Sequence, residues 1–315
     1  MSNPILAFSA TRRMRSFRTM MTVLAYAGML LLIAALMLRG MFRDSVTIGS
    51  MQQGVRTYLV LTAAQFALLV LIGPAMTSGA VAGERERQTL ELLLVTNTRS
   101  FRIVAGKMME SFALLAILII SGLPAMCLTV AVGGVTFGQI LVSMLFLLAV
   151  AFGTVCVGVF ASSICHTSVR SGVTSYRIIA VIAVVTTLPV IFGYPQKITD
   201  VVYDSQRYAA LTPEGALKMI SPLLFFNPGY GLVALLQAQT SLLNTDAIEK
   251  IPGMGSNMEY RDWGRILCTY LVMNRAGGQS IALISSGAIT GAGCILMGIA
   301  TLFVRPLKRG TGVRG

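Results

Sequence analysis

Long apolar runs separated by short charged segments dominate the chain. An uncharged apolar run covers Thr19–Leu38, between Arg18 and Arg39, and a second covers Thr57–Ala82, between Arg56 and Glu84. No residue between Glu110 and Arg170 is charged, a stretch too long for one helix; Gly133-Gly134 and Gly138 divide it into Ser111–Val132 and Gln139–Cys165. A fifth run, Ile178–Tyr194, ends at Pro195, and the last, Ser280–Val304, ends at Arg305-Pro306. About 20 residues at a rise of about 1.5 Å cross the hydrocarbon core of a bilayer. A charge at mid-membrane costs roughly 2.5–3.5 kcal/mol on insertion scales. The pattern therefore predicts an all-α polytopic membrane protein with six transmembrane helices. The first run is longer than the roughly 7–15 residues of a signal-peptide core, and is expected to be a retained helix. Pro74, Pro124 and Pro189 fall inside predicted spans, where kinks supported by neighbouring helices are expected.

Composition agrees with this reading and narrows it. Of 315 residues, 55% are hydrophobic and 12% charged, and the mean hydropathy is +0.76. A soluble domain carries about 25% charged residues, so disorder, a collagen-like repeat and an ordinary soluble enzyme are excluded. The net charge is +13, and its distribution explains it. Basic residues cluster as Arg12, Arg13, Arg15 and Arg18 before the first span, as Arg85, Arg87, Arg99, Arg102 and Lys107 between the second and third, as Arg170 and Arg177 between the fourth and fifth, and as Arg305, Lys308, Arg309 and Arg314 after the sixth. The short loops on the other side hold only Arg39, Arg43 and Arg56, and the long segment 196–279 carries equal numbers of each sign. The positive-inside rule then places both termini in the cytoplasm. It defines a cytoplasmic amphipathic N-terminal segment 1–18, a six-helix domain 19–304 and a basic cytoplasmic tail 305–315. Short basic sets beside spans, without interleaved aromatics for base stacking, do not describe a nucleic-acid surface.

Proton- and ion-coupled carriers place ionisable residues inside their bundles, whereas none of the six predicted spans contains Asp, Glu, Lys or Arg. His166 is the only histidine, at the end of span four, and reads as incidental. Cys127, Cys156, Cys165, Cys268 and Cys294 form no C-x-x-C pair. All but Cys268 read as small apolar residues in helices, and neither a disulfide nor a metal site is expected. The chain has no G-x-x-x-x-G-K-[ST] phosphate loop: Met108 follows Gly106-Lys107, and Phe101 stands where the first glycine would be. No catalytic or cofactor-binding residue is expected in this chain. If it transports, it is passive or driven by another subunit.

The segment 83–107 carries the most specific pattern. Acidic and basic residues alternate from Glu84, and the composition favours helix from Glu84 to about Leu94. Glu84 with Arg87, and Arg87 with Glu91, have spacings that permit ion pairs on one helix face, and Leu90, Leu93 and Leu94 form an apolar stripe. Thr96-Asn97-Thr98 reads as a turn, and Thr98 or Ser100 as a cap for the next helix. On composition alone this is an amphipathic loop lying on the headgroups. The stretch also resembles the cytoplasmic coupling segment of type-2 ATP-binding-cassette exporter permeases, which runs roughly Glu-Arg-Glu-x-Gly-Thr-Leu-Glu-x-Leu-Leu-x-Thr-Pro, with Gly-Lys just before the next span. Glu84, Arg85, Glu86, Thr89, Leu90, Glu91, Leu93, Leu94, Thr96 and Gly106-Lys107 match, while Gln88 replaces the glycine and Asn97 the proline. Asn3-Pro4-Ile5-Leu6 and Arg13-Met14-Arg15-Ser16 resemble the same family's approach to span one, without its usual glutamate. The resemblance covers most of Ser2–Lys107 in detail and the rest in layout.

The resemblance implies the permease subunit of an ATP-driven exporter in a prokaryotic cell membrane. Its cytoplasmic helix would dock into a cleft on a separate ATPase, present in two copies and carrying the ATP-Mg, and the permease would pair with a second copy or a related permease. The implied ATPase contacts are Glu84, Arg85, Glu86, Arg87, Thr89, Leu90, Glu91 and Leu94, with charges setting register and leucines supplying buried area. An ATP-independent channel or carrier is the alternative, and a membrane-embedded enzyme a weaker one.

The segment 196–279 is too long for a connector. Met219–Thr245 is uncharged but broken by Pro222, Asn227-Pro228-Gly229 and Gly231, and counting it as a seventh span would move the basic tail to the outer side. A pair of short helices, re-entrant or interfacial, is predicted instead; a re-entrant element is tolerated where it is buried against protein. Resembling exporters carry such helices near the outer exit, and Phe225, Phe226, Asn227 and Pro228 are the candidate outer gate. Trp263–Met273 reads as amphipathic, with Trp263 and Tyr270 suited to headgroup level. In span six, Gly287-x-x-x-Gly291 permits close helix packing, expected within the chain in preference to a subunit interface.

Overall fold

The computed structural model describes residues 17–39, 49–88, 100–193, 225–239 and 278–304. Among these residues, all regular structure is helical. The order is α1 (Phe17–Leu38), α2 (Gly49–Thr77), α3 (Ala82–Glu86), α4 (Ser100–Ser121), α5 (Leu123–Val132), α6 (Phe137–Ile164), α7 (Ser168–Gly193), α8 (Pro228–Gln239) and α9 (Gly278–Phe303). Six stretches are long and apolar enough to cross a membrane: Thr19–Leu38, Gln53–Glu86, Phe101–Val132, Phe137–Ile164, Ser168–Thr187 and Ala282–Phe303. The six-span membrane architecture expected from the apolar pattern is therefore present.

Several boundaries differ from those expected, because a helix does not stop where the hydrocarbon does. The third span starts at Ser100 in place of Ser111, and its added turns carry Arg102, Lys107 and Glu110. The fifth starts at Ser168 in place of Ile178, with Arg170 and Arg177 exposed on its surface, where long side chains reach toward headgroups. The second starts at Gly49 in place of Thr57. The third span is also two helices, divided at Gly122. Pro124 lies in the first turn of α5, where its missing N–H costs no helical hydrogen bond, so this proline starts a helix and kinks none. Pro74 does lie inside α2. Its missing N–H leaves the Val70 carbonyl without a helical donor, and at the adjacent Leu71 carbonyl the Tyr176 hydroxyl of α7 donates a hydrogen bond at 2.5 Å.

The glycines that divide the long uncharged stretch do so through left-handed backbone. Gly133 has φ 100° and Gly134 φ 86°, and Thr136 and Gln139 then form a reciprocal capping box that opens α6. Helix α6 is the scaffold: 67% of its apolar window is buried, against 17–22% for α1, α7 and α9. Small residues allow this. A Cβ on Gly158 would fall 1.7 Å from Thr77 Oγ1 of α2, and one on Gly153 would fall 2.4 Å from Ile289 of α9, so both neighbouring helices lie directly on the α6 backbone. By contrast α1, α7 and α9 present large apolar side chains outward, among them Leu24, Val181 and Leu283.

Successive spans run antiparallel. One end of the bundle gathers Thr77, α3, Ser100, Ile164 and Ser168; the other gathers Leu38, Gly49, Val132 and Phe137. Helix α8 has 12 residues, about 18 Å, too short to be a seventh span. Gly231 in its second turn packs against Phe146 and Ser285, and Gln239 at its C-terminus meets Gln139. Phe146 and Gln139 are seven residues apart on α6, about 10 Å along its axis, so α8 runs from inside the bundle out to its end, as a re-entrant helix does. The remainder of Met219–Thr245, and Trp263–Met273, lie outside the described residues.

On α9, a Cβ at Gly287 or Gly291 would meet nothing within 4 Å, whereas one at Gly293 would lie 3.1 Å from Cys156 Sγ. Among the described residues, the close approach within the chain thus uses Gly293, and nothing meets the Gly287–Gly291 face. Replacing Gly158 by valine forces α2 off α6 and is expected to destabilise by about 1–3 kcal/mol, read as a lower thermal midpoint in detergent; Gly287→Val is expected to leave that midpoint nearly unchanged.

Candidate coupling site

The site is built at the C-terminal end of α2. Thr77 and Ser78 turn their hydroxyls back onto the preceding turn, Thr77 Oγ1 donating to Gly73 O at 3.0 Å and Ser78 Oγ to Ala75 O at 2.9 Å. The chain then turns into α3, whose first N–H groups have no helical acceptor. Ser162 of α6 supplies one: its Oγ accepts from Val81 N at 3.0 Å and Ala82 N at 2.9 Å, and donates to Ser78 O at 3.0 Å. Val81 and Ala82 are fully buried, so this single hydroxyl satisfies two amides withdrawn from water and also the partly buried Ser78 carbonyl.

The three charged residues of α3 each bond a different span. Glu84 Oε1 lies 2.6 Å from Lys107 Nζ on α4, and Lys107 also lies 3.8 Å from Glu110. Arg85 donates from Nη1 to Cys165 O at 3.1 Å and from Nη2 to Ser163 O at 3.2 Å, at the C-terminus of α6. Glu86 Oε2 accepts from Ser168 Oγ at 2.7 Å and from Ser168 N at 3.4 Å, at the N-terminus of α7. The signs follow the helix ends: a guanidinium faces the terminal carbonyls of one helix and a carboxylate the first amides of the next. Glu84 thus takes its partner from α4, and the intrahelical pairing its spacing allowed with Arg87 is not the one used. Arg87 is exposed. A cleft of about 700 Å³ opens beside these groups, lined by Gly79, Gly83, Arg87 and Glu110 among others.

The helix expected from Glu84 to about Leu94 does not run unbroken. Helix α3 ends at Glu86, and Gln88 has φ 58°, the one non-glycine residue with positive φ among the described residues. Local propensity favours continuation, but the three tertiary bonds hold the chain in a short turn. The departure from the family pattern at Gln88 falls on this position: glycine adopts the left-handed conformation freely, while an L side chain is disfavoured there. Of the residues implied as ATPase contacts, Glu84, Arg85 and Glu86 bond neighbouring spans, Arg87 faces out, and Thr89, Leu90, Glu91 and Leu94 lie outside the described residues. Ser162, Ser168 and Glu110 were not anticipated. Thr167 offers a hydroxyl that can cap a helix, and it accepts from Arg170 N at 3.4 Å, but the apolar run begins only at Ile178; Ser162 carried no signal. At the other candidate site, Phe225 and Phe226 precede α8, and Phe226 is exposed. Asn227 Oδ1 caps α8 by accepting from Gly229 N at 3.0 Å, and its Nδ2 donates to Thr187 Oγ1 at 3.1 Å.

The family model described as "ABC-2 family transporter protein" matches residues 11–301, and the chain belongs to that family. It is accordingly a multi-pass integral membrane protein of the ABC transporter permease class. No curated protein matches the sequence.

Two substitutions test the local reading. Gln88→Gly is expected to raise stability by about 1 kcal/mol by removing the cost of a side chain at positive φ. Arg85→Ala leaves the Ser163 and Cys165 carbonyls without a charged donor and is expected to cost about 1.5–3 kcal/mol. Both are read from thermal unfolding of the purified chain.

Proposed function

We propose that this chain is the permease subunit of an ATP-driven exporter and that a separate ATPase drives it through residues 83–107. Two ATPase copies would act on two permeases, either two copies of this chain or this chain with a related one. ATP-Mg would be held by the ATPase. The observation that carries the reading is the bonding of α3: three consecutive charged residues bond α4, α6 and α7, and α3 follows directly from α2, so a push on this short helix reaches four spans together. Arg87, exposed at its end, is left to a partner, and in this reading the leucine-bearing segment that follows would extend the contact. The same end of the bundle adjoins most of the basic residues, which supports a cytoplasmic location for it and an outer location for α8. The open Gly287–Gly291 face supports pairing between permeases.

The decisive experiment is purification from native membranes. An ATP-hydrolysing subunit is expected to co-purify in stoichiometric amount. Arg87→Ala or Leu90→Glu is expected to weaken that association several-fold without changing the thermal midpoint of the isolated chain. Glu84→Ala with Glu86→Ala is expected to lower both, because those carboxylates also bond α4 and α7. Stable isolation without any ATPase would favour an ATP-independent channel or carrier instead.

A further inference from the structure

We propose that Tyr58, Gln139, Ser143 and Gln239 form a polar latch closing the end of the bundle opposite α3, and that α2 opens it. The trigger rests on the coupling reading above; the latch rests on geometry alone. Tyr58 and Ser143 are almost completely buried. The Ser143 hydroxyl bonds the Tyr58 oxygen, and the Tyr58 hydroxyl donates to Gln239 Oε1 at 2.6 Å. Gln139 Nε2 donates to Gln239 O at 2.7 Å, and Gln239 Nε2 donates to Gln139 O at 3.2 Å, so each glutamine clamps the other's main chain. Gln139 Oε1 is occupied by Thr136 N at 2.8 Å. The circuit joins α2, α6 and the C-terminus of α8.

Two features make this a releasable contact. Helix α8 lies along α9 and touches α6, but it barely approaches α2. Separating α2 from α8 therefore breaks hydrogen bonds, which water replaces at small net cost, and few other α2–α8 contacts hold the two together. Helix α2 also carries α3 beyond its other end. Tyr58 and Thr77 are 19 residues apart on one helix, about 28 Å, with Pro74 close to the α3 end. A displacement of α3 is thus delivered by one rigid element to the tyrosine that holds α8. A purely structural contact at this position would need no such polar circuit, since apolar side chains would fill the space without requiring partners.

The test places spin labels at Val60→Cys on α2 and Val233→Cys on α8, both exposed on the bundle surface, with the five native cysteines replaced and the protein in lipid nanodiscs. For the permease alone, a single narrow distance is expected; Tyr58→Phe is expected to lengthen and broaden it without nucleotide, and Gln239→Met to do the same. Thermal midpoints confirm that each variant is folded, and the second variant stands in if the first is not. With the co-purified ATPase trapped by ATP and vanadate, the unmodified latch is expected to show the long distance. An unchanged distance in both folded variants overturns the latch. A lengthened distance in the variants with no response to trapping overturns α2 as its lever. Failure of any ATPase to co-purify sinks the coupling reading and leaves the permease-alone measurement decisive for the latch.

Discussion

Hydrocarbon solvates neither a charge nor an unpaired peptide group, and this constraint organises the whole molecule. It confines most ionised side chains to the ends of the spans. There it brings them beside the other groups that need partners, the terminal amides and carbonyls of the helices themselves. Helix α3 satisfies both needs at once. Arg85 meets the carbonyls ending α6, Glu86 the amides starting α7, and Glu84 the ammonium of Lys107. Ser162 serves the amides of α3 in turn. Local neutralisation and helix termination therefore produce a junction joining four spans at one end.

The interior follows a different rule. Without a hydrophobic force between helices in lipid, close approach comes from small residues and from hydroxyls bonded within their own helix. Gly153 and Gly158 let α9 and α2 lie on α6, while Thr62 and Thr77 return their hydroxyls to carbonyls one turn back. The result is one central helix with deep contacts and three peripheral ones with broad apolar exposure. Helix α2 links the two ends of the bundle: α3 at one end, α6 along its length, and α8 through Tyr58 at the other. The proposed lever role of α2 rests on that placement, which the more exposed α1, α7 and α9 lack.

The spans were legible because charge exclusion is a one-dimensional rule: an apolar run must be long enough, and the runs are. The Gly133-Gly134 turn was legible for the same local reason, since glycine marks backbone that other residues avoid. The start of α7 was misplaced because Arg170 and Arg177 look like loop residues in a hydropathy profile, although a helix whose side chains reach the surface tolerates them. The break at Gly122 was missed because a proline in an apolar run reads equally well as a kink or as a first turn. At Gln88 the sequence marked a departure from the family's glycine, but only the backbone angle explained why glycine is the usual residue there.

Span number, charge asymmetry and the family-like motif of segment 83–107 follow from residue order alone, because each depends on local solvation or on a contiguous motif. The pairing of Glu84, Arg85 and Glu86 with three different helices does not, since their partners lie from about 20 to 80 positions away and compete with equally good partners on the same helix face. The length of α3, the re-entrant course of α8, and the meeting of Tyr58 with Gln239 across 181 positions belong to the same class. In each, local propensity allowed more than one outcome, and the packing of α6 against its neighbours selected between them.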